Sequence, residues 1–238
     1  MAVAARYRGA RQHNSWRCYH GRWIICVRRM HRRIEPSWQS RPIATPGIPP
    51  GVDVWRIALQ PAADLSMRAQ AHAARQTVLA NYLGVPPQAL RLDHAEGGKP
   101  FIAQPAGALE FNLSHCADLA LLAVSASHAV GIDVEGERRI PDPLRLARRV
   151  LDDDSIARLS TLPEHARTAL FLDLWTQLDA RQKALGHGIF ASPVSAEPMC
   201  GLSFHPSAGH IACLAIASPV DDVDIRFFDY HDAAPTPQ

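Results

Sequence analysis

The stretch that most constrains the fold is Val130-Gly131-Ile132-Asp133-Val134-Glu135. Its apolar residues predict a buried β-strand, although it contains two carboxylates. Alternate side chains of a strand share a face, so Asp133 and Glu135 are expected to lie side by side. Two adjacent carboxylates repel each other unless a cation lies between them, and Mg²⁺ prefers oxygen ligands. The alternative is a solvated edge strand with both acids in water.

The composition is that of an ordinary globular protein, since 47% of the 238 residues are hydrophobic and 20% are charged. No apolar run approaches the length of a membrane span, and the N-terminus lacks the pattern of a secretory signal peptide. The five cysteines are irregularly spaced and include no Cys-x-x-Cys pair. We therefore expect a cytoplasmic protein with reduced thiols, with no membrane as a partner.

Charge divides the chain into two unlike parts. Residues 1–50 contain ten Arg and one acidic residue, a net charge of +9, which leaves −7 for residues 51–238 because the total is +2. Residues 1–50 show no clear period, so we predict a basic, disordered extension. The alternatives are a tail that binds nucleic acid or anionic lipid, or sequence upstream of the true start. We expect nucleic acid not to be a partner.

The pattern after residue 50 predicts an α+β fold. Helices are expected at about 65–83, 143–150, 152–159 and 164–185, with strands between and after them. Residues 119–125 and 130–135 are predicted to form a hairpin. The segments 114–118 and 204–209 each place a polar, His-containing turn before an apolar strand. This echo predicts two similar α+β halves, 51–135 and 136–229, followed by a disordered tail, 230–238.

Further residues in this order could take part in chemistry. Ser114 and His115 end a strand at a turn, where side chains and backbone amides can bind a phosphate. Asp179 and Lys183 are four residues apart and share a helix face, which is also the spacing of a simple surface ion pair. Lys99 follows two glycines in a turn.

Four motifs together resemble the larger, single-chain class of the 4′-phosphopantetheinyl transferase superfamily. They are FNLSH at 111–115, VGIDVE at 130–135, LARR at 146–149 and FLDLWTQLDARQKALGHG at 171–188. The resemblance covers about Asp53 to Phe228. It implies two similar α+β halves with the active site between them. It also implies a monomer that transfers the 4′-phosphopantetheine arm of coenzyme A to a serine of an apo acyl or peptidyl carrier protein, with Mg²⁺ (Mn²⁺ is possible).

The resemblance also implies residue roles. The family's metal-binding acids align with Asp133, Glu135 and Asp179, and its catalytic residues with Asp179 and Lys183. The residues that hold coenzyme A align with Lys99, Ser114, His115 and Lys183. An arginine of the first helix binds the 3′-phosphate in the family, and both Arg68 and Arg75 are candidates.

Departures from the family pattern support two alternatives. Leu178-Asp179 replaces the usual Lys-Glu pair, which favours a weakened homologue that binds coenzyme A without efficient transfer. Cys116 replaces the usual second serine of the FNxSHS motif, and with His115 it suggests a thiol hydrolase. Adjacent residues of an extended segment point to opposite faces, which disfavours that pair.

A cluster of arginines after the VGIDVE stretch is a candidate surface for an acidic carrier protein. Its members are Arg138, Arg139, Arg145, Arg148 and Arg149. The alternative is a solvated helix face. The sequence leaves the identity of the carrier open.

Overall fold

The computed structural model describes residues 17–19, 22–24, 30–40, 51–106, 109–188, 199–217 and 223–231. The helices are α1 Met67–Leu83, α2 Pro143–Val150, α3 Asp153–Thr161 and α4 Glu164–Leu185, with a short 3₁₀ helix at Pro87–Ala89. The strands are β1 Arg17–Tyr19, β2 Arg22–Ile24, β3 Met30–Arg33, β4 Trp38–Ser40, β5 Val52–Ala58, β6 Arg91–His94, β7 Pro100–Gln104, β8 Glu110–Cys116, β9 Leu119–Ser125, β10 Ala129–Gly136, β11 Cys200–Phe204, β12 His210–Ala217 and β13 Ile225–Asp229. The predicted α+β class is confirmed.

Two larger sheets form the body of the molecule. The first has the strand order β4-β13-β5-β9-β8 and the second β10-β12-β11-β3, while β1-β2 and β6-β7 are separate pairs. The same sequence of elements builds each larger sheet: a strand, then a helix that packs outside the sheet, then an antiparallel strand pair. These elements are β5, α1 and β8-β9 in the first case and β10, α4 and β11-β12 in the second. The two sets have the same spatial order, because the last strand of each lies between the other two.

The core lies in layers. One face of the first sheet packs on α1 through residues such as Trp55 and Phe111. Its other face packs on the second sheet, where Val54 and Ile132 share one buried cluster. The far face of the second sheet packs on α4 around Ala180. Strands buried on both faces read as continuous apolar runs, which explains why β9 is LALLAVS.

The predicted hairpin of residues 119–125 and 130–135 is wrong. β9 already pairs with β5 on one side and with β8 on the other, so neither of its edges is left for β10. β10 pairs with β12 in the second sheet instead. The predicted division at residue 135 thus falls near the end of β10. This strand forms its ladder hydrogen bonds with β12, which lies in the predicted second half.

Part of the expected N-terminal extension belongs to the sheets. β3 pairs in parallel with β11, and β4 pairs in parallel with β13. Residues 30–40 therefore differ from the predicted disorder, because their backbone hydrogen bonds are made to strands near the C-terminus. The rest of the 1–50 segment outside 17–19 and 22–24, and the predicted tail beyond His231, lie outside the described residues.

The two turns that echo each other in the sequence meet in space. His210 Nε2 lies 3.1 Å from Asp118 Oδ1, which joins the β11–β12 turn to the β8–β9 turn. The imidazole Nδ1 lies 3.0 Å from the Ser207 hydroxyl and 3.1 Å from the Ala208 carbonyl oxygen. The contact between His210 and Asp118 links the second sheet to the first near the C-terminal end of β10.

Candidate active site

The site begins where β10 and α4 come unusually close together. A Cβ atom on Gly131 would lie only 2.0 Å from the carbonyl oxygen of Ala180 and 2.3 Å from the amide nitrogen of Ala184. Only glycine permits this approach of strand and helix. Because alternate residues share a face, Asp133 points toward the same helix while Ile132 and Val134 enter the core between the sheets.

Asp133 is 4% exposed and lies at the centre of a polar cluster. Its Oδ1 accepts hydrogen bonds from the Ser114 hydroxyl at 2.8 Å and from Lys183 Nζ at 2.7 Å. The same ammonium lies 2.7 Å from Asp179 Oδ2, one turn earlier on α4. The structure thus brings together four of the predicted residues, from β8, β10 and α4, around one ammonium group.

This cluster holds more negative than positive charge in a poorly solvated place. Burial raises the pKa of Asp133 to about 7; Lys183 opposes this shift, and the Asp179 carboxylate adds to it. Burial by itself lowers the pKa of Lys183, but the two carboxylates raise it and prevail. Asp133 Oδ2 is buried and has no hydrogen-bond partner among the described residues. A buried carboxylate oxygen without a partner is costly, so a further cation or donor would stabilise this site.

The predicted third metal ligand, Glu135, lies beside this cluster. It follows Asp133 on the same face of β10, and Arg138 Nη1 lies 2.5 Å from its Oε2. Within the part of the chain that the structure describes, no three His, Cys, Asp or Glu side chains are arranged to hold a metal ion. The donor chemistry suits Mg²⁺, since the residues are carboxylates and the Oδ2 atom of Asp133 is available. Two basic side chains, Lys183 and Arg138, neutralise the acids in this arrangement.

The FNLSH motif, in the other sheet, holds strand β10, which carries Asp133. The Asn112 side-chain oxygen accepts a 2.8 Å hydrogen bond from the Ile132 amide. The Ser114 hydroxyl is within 3.4 Å of the Val134 amide. Both side chains are buried. Strands β8 and β10 are the end strands of their sheets and lie next to each other. The side chains of Asn112 and Ser114 therefore supply the acceptors that a neighbouring strand's carbonyl groups would otherwise provide for the amides of β10. Sequence reasoning missed Asn112, because its partner lies on a strand that no local pattern connects to β8.

A group of basic side chains lies at the junction of α1 and β8. The pKa of His115 is lowered by burial and by the nearby charges of Arg68 and Lys183. The pKa of His72 is lowered by burial and then by Arg75, Arg68 and His115. Both predicted arginines therefore lie within electrostatic range of this group. Sequence reasoning missed His72, although positions 68, 72 and 75 have the spacing of one helix face.

Arg75 is the more enclosed of the two candidate arginines. Burial lowers the pKa of its guanidinium, and its Nε is buried without a hydrogen-bond partner among the described residues. Arg68, by contrast, is exposed at the start of α1. An enclosed guanidinium with an unused donor is suited to bind an anion.

Lys99 lies close to the C-terminal end of α4. Its Nζ donates to the Glu110 carboxylate at 3.1 Å and to the Ala184 carbonyl oxygen at 3.2 Å. A Cβ atom on Gly97 would lie 2.0 Å from the Gly186 carbonyl oxygen, so this turn also requires glycine. The structure thus gives Lys99 a clear role in joining the turn to the helix.

The two departures from the family motif occupy informative places. Leu178 lines a cavity with Met199 and Cys213, whereas Asp179 and Lys183 face β10. Burial, together with the carboxylates of Glu135, Asp133 and Asp118, raises the pKa of the Cys116 thiol to about 11. This pKa leaves little thiolate at neutral pH, which argues against the thiol hydrolase alternative.

Comparisons with known proteins identify the family of this chain. A sequence model of the 4′-phosphopantetheinyl transferase superfamily matches residues 129–231. The chain is 32% identical over 183 residues to the 4′-phosphopantetheinyl transferase HetI of Nostoc sp. (strain PCC 7120), covering 66% of this chain and 77% of HetI. The chain belongs to the 4′-phosphopantetheinyl transferase superfamily, which confirms the predicted resemblance and the predicted enzyme class.

Two further relatives match over shorter regions. A phosphopantetheinyl transferase of Thraustochytrium sp. is 31% identical over 128 residues, covering 48% of this chain and 44% of the relative. The 4′-phosphopantetheinyl transferase gsp of Aneurinibacillus migulanus is 28% identical over 112 residues, covering 47% and 45%. Separately, none of the described helices is long and apolar enough to cross a membrane.

Proposed function

We propose that this protein transfers the 4′-phosphopantetheine arm of coenzyme A to a serine of an apo acyl or peptidyl carrier protein. The observation that carries the proposal is Asp133, a buried carboxylate that shares the Lys183 ammonium with Asp179 and has one oxygen without a hydrogen-bond partner among the residues that the structure describes. A diphosphate is the kind of ligand that such a site suits, provided that a divalent cation accompanies it.

In this proposal the acids hold the cation. Asp133, Glu135 and Asp179 would bind Mg²⁺, or Mn²⁺, which when bound would offset the charge on the diphosphate. Lys183 contacts the pyrophosphate, and the movement of its ammonium from the carboxylates toward a phosphate oxygen would free those carboxylates. Glu135 would likewise have to leave Arg138 in order to hold the metal.

The reaction forms one bond and breaks another. The serine oxygen attacks the β-phosphorus of coenzyme A, and the bond between that phosphorus and the bridging oxygen to the α-phosphate breaks, which releases adenosine 3′,5′-bisphosphate. Asp179, or a water that it orients, accepts the serine proton. Asp179 Oδ2 lies 2.7 Å from Lys183 Nζ, the ammonium that also contacts Asp133, which places this carboxylate within the proposed site.

The basic group of α1 and β8 would hold the other end of coenzyme A. We assign His115 and one of Arg68 and Arg75 to the 3′-phosphate, with Ser114 and Lys99 lining the path between the two phosphate sites. The unused Nε of Arg75 favours that arginine over Arg68. His72 is an additional candidate for binding the 3′-phosphate, because the charges of Arg75, Arg68 and His115 all lower its pKa and therefore lie near it.

We also infer that the chain is built from two similar halves with the site between them. The matching strand orders of the two sheets support this inference. So does a repeat that sequence reasoning missed: residues 51–54 read GVDV and residues 131–134 read GIDV, at the start of the corresponding strands. On this basis the division falls between β9 and β10. We propose that the protein acts as a cytoplasmic monomer.

The test is to incubate the protein with a fluorescent coenzyme A analogue, Mg²⁺ and a panel of apo carrier proteins of the fatty-acid, polyketide and peptide-synthetase types. We expect label on the acceptor serine of at least one carrier and loss of labelling with EDTA. Asp133→Ala is the matched control, and it should fold but not label. Transfer by Asp133→Ala at the wild-type rate would refute the assignment of the site.

A weakened homologue is the second candidate. It is favoured by the engagement of all three acids with basic side chains and by Asp179 in place of the family's Glu. It predicts that coenzyme A binds, as measured by calorimetry, while no carrier in the panel is labelled. Leu178 does not favour it, because its side chain lines a cavity on another face of α4.

The sequence alone suggests that the nucleic-acid alternative be tested by deleting residues 1–50. The structure makes this a poor test. That deletion also removes β3 and β4. One of the arginines, Arg33, already pairs with Asp173 on α4 at 3.2 Å. Filter binding of the intact chain to single- and double-stranded DNA is the cleaner experiment, and we expect no salt-sensitive binding in the range of specific proteins.

A further inference from the structure

Strand β3, in the basic N-terminal segment, reaches helix α4 through two side chains, His31 and Arg33. Alternate residues of a strand share a face, and here both lie on the face of the second sheet that packs on α4. Arg33 Nη2 donates to Asp173 Oδ2 at 3.2 Å, and His31 lines a cavity together with residues of α4. β3 therefore contacts the helix that carries two charged residues of the candidate site.

A buried hydroxyl joins β3 to the same aspartate. Ser203 of β11 is 1% exposed, and its Oγ donates to Asp173 Oδ1 at 2.9 Å and lies 2.9 Å from His31 Nε2. The hydroxyl has a single proton, which Asp173 receives, so it accepts a hydrogen bond from the N–H at Nε2 of His31. Loss of one member of this chain would leave a poorly solvated polar group without its partner, which is costly.

Glycine at position 201 makes room for the imidazole of β3. A Cβ atom on Gly201 would lie 2.9 Å from His31 Nδ1, closer than packed atoms permit. Gly201 and Ser203 lie on one face of β11, and they pair in register with His31 and Arg33. The residues of β11 that face α4 are thus matched to those of β3, as expected of a built contact.

The chain holds α4 on the second sheet at two points. Asp133 is in register with Cys213, and Cys213 with Ser203, so the two attachment residues of the sheet lie in one row across it. Lys183 contacts Asp133, and Asp173 contacts Ser203. These two residues of α4 are about 15 Å apart at 1.5 Å per residue.

The close contact at Gly131 lies between the two attachment points. Gly131 approaches the backbone of Ala180, which follows Asp173 by about 10 Å along the helix. A helix that touches a sheet at one close contact can rock about that contact, whereas an attachment two turns away fixes its angle. The angle of α4 in turn determines where the charged residues of its C-terminal half lie.

We propose that His31 and Arg33 of β3 are positioning residues of the active site. Held on Ser203 and Asp173, they fix the angle of α4 and so act on the reaction through the helix. The buried hydroxyl carries most of this effect, because Arg33 is 60% exposed and an exposed ion pair contributes little. The proposal rests on the proposed function, and it gives part of the basic N-terminal segment a role in transfer.

The test removes the buried hydroxyl. Ser203→Ala should lower kcat for carrier labelling, per folded molecule, at least about tenfold, because a small misplacement of reacting groups is costly. The Kd for coenzyme A, measured by calorimetry, should rise about threefold, because the hydrogen bond from Lys183 to the diphosphate is weakened. The KM for the carrier should stay within about twofold. A merely structural role would reduce the folded fraction and leave kcat per folded molecule and Kd unchanged.

Two substitutions of His31 supply a matched pair and keep the proposal testable if Ser203→Ala does not fold. His31→Gln keeps an N–H donor near the position of Nε2, so its kcat should stay within about twofold of the wild type. His31→Ala removes the donor and should behave like Ser203→Ala. Glu35→Gln, an exposed acid of the same segment, is the control and should change neither kcat nor Kd. Equal losses in the two His31 variants would overturn the proposal.

The two proposals fail in different ways. If the wild type labels carriers but kcat and Kd stay within about twofold in both Ser203→Ala and His31→Ala, positioning by β3 is refuted while the proposed function stands. If the wild type binds coenzyme A but labels no carrier, the proposed function fails, and the comparison of Kd values still decides whether β3 positions α4. If the wild type does not bind coenzyme A, both proposals fail.

Discussion

Two buried aspartates occupy matching places in the two sheets, and their surroundings differ. Asp53 lies in β5 after Gly51-Val52, and Asp133 lies in β10 after Gly131-Ile132. Asp53 is 0% exposed and Asp133 is 4% exposed. Arg226 binds both oxygens of Asp53, with Nε at 2.8 Å and Nη2 at 3.0 Å, and the Tyr82 hydroxyl donates to Oδ2 as well. Asp133 uses one oxygen for Ser114 and Lys183, while the other has no hydrogen-bond partner in the described part of the chain.

The difference follows from the chemistry of the two cations. A guanidinium is a planar fork that satisfies both oxygens of a carboxylate, whereas an ammonium is a point charge that here divides itself between Asp133 and Asp179. A fully satisfied buried ion pair is part of the architecture. A buried carboxylate that keeps a free oxygen is suited to receive a ligand. The comparison thus separates an aspartate with both oxygens paired from one that we propose binds a ligand, in nearly identical sequence contexts.

The largest expected effect is on transfer by Asp133→Asn. The variant keeps the size of the side chain but removes the charge, so transfer should fall about 1000-fold, the upper range for removal of one electrostatic stabiliser. The free energy of unfolding should stay the same or increase, because a poorly satisfied buried charge is lost. Labelling kinetics and urea denaturation measure the two quantities. A variant that loses stability but keeps transfer would reverse the comparison.

Asp53→Asn should show the opposite pattern. The variant leaves Arg226 without its carboxylate. Because the Arg226 side chain is 35% exposed, water offsets part of the loss, and the cost should fall below about 3–5 kcal/mol, the loss of unfolding free energy typical of a fully buried pair. Transfer per folded molecule should change little. Urea denaturation combined with the specific rate of the folded fraction separates the two effects. Tyr82→Phe is the comparison variant. It keeps the Asp53–Arg226 ion pair and should cost about 1–3 kcal/mol, because the hydroxyl no longer donates to Asp53 or accepts from the buried Trp55 Nε1.

The glycines before the two aspartates sharpen the comparison further. Gly131→Ala places a Cβ atom against α4, and Gly51→Ala places one 1.9 Å from the Asp224 carbonyl oxygen. Each should cost about 1–3 kcal/mol through overpacking. Only Gly131→Ala should also lower the transfer rate of the folded fraction, since it displaces Asp179 and Lys183 from Asp133. Equal losses of transfer in both variants would contradict this assignment.

A further expected effect is a pH dependence of stability. The pKa of Asp133 is raised from 3.8 to about 7 in the folded protein, so the folded state binds more protons than the unfolded chain between these values. This contribution to the free energy of unfolding is complete below about pH 4 and is lost as the pH rises to about 7. The slope between pH 4 and 7 should be less negative in Asp133→Asn, measured by urea denaturation at several pH values. An identical slope in both proteins would contradict the pKa shift.

Much of the fold and the site followed from local pattern. Helix α4 was predicted at its observed limits, because its sequence continues to a glycine that takes the left-handed conformation at Gly186, with φ of 72°. The i, i+4 spacing placed Asp179 and Lys183 on one face, and the i, i+2 spacing did the same for Asp133 and Glu135. These are distances along one element, which the period of that element determines.

Strand pairing was beyond the reach of local pattern. The hairpin of residues 119–125 and 130–135 was a reasonable expectation from a short connection, but β9 is enclosed by β5 and β8. The basic N-terminal stretch seemed separate from the body by composition, yet Arg33 and Asp173 pair across 140 residues. Asp53 and Arg226 pair across 173 residues. Such contacts depend on which strand edges remain open once the sheets assemble.

The amino-acid sequence by itself determined which residues carry charge into buried elements and on which faces they lie. Only the tertiary structure decided which of the two buried aspartates has a partner for each oxygen. The reason is that hydrogen bonding of a buried carboxylate depends on groups delivered by distant segments: a guanidinium from β13 for Asp53, and a shared ammonium from α4 for Asp133.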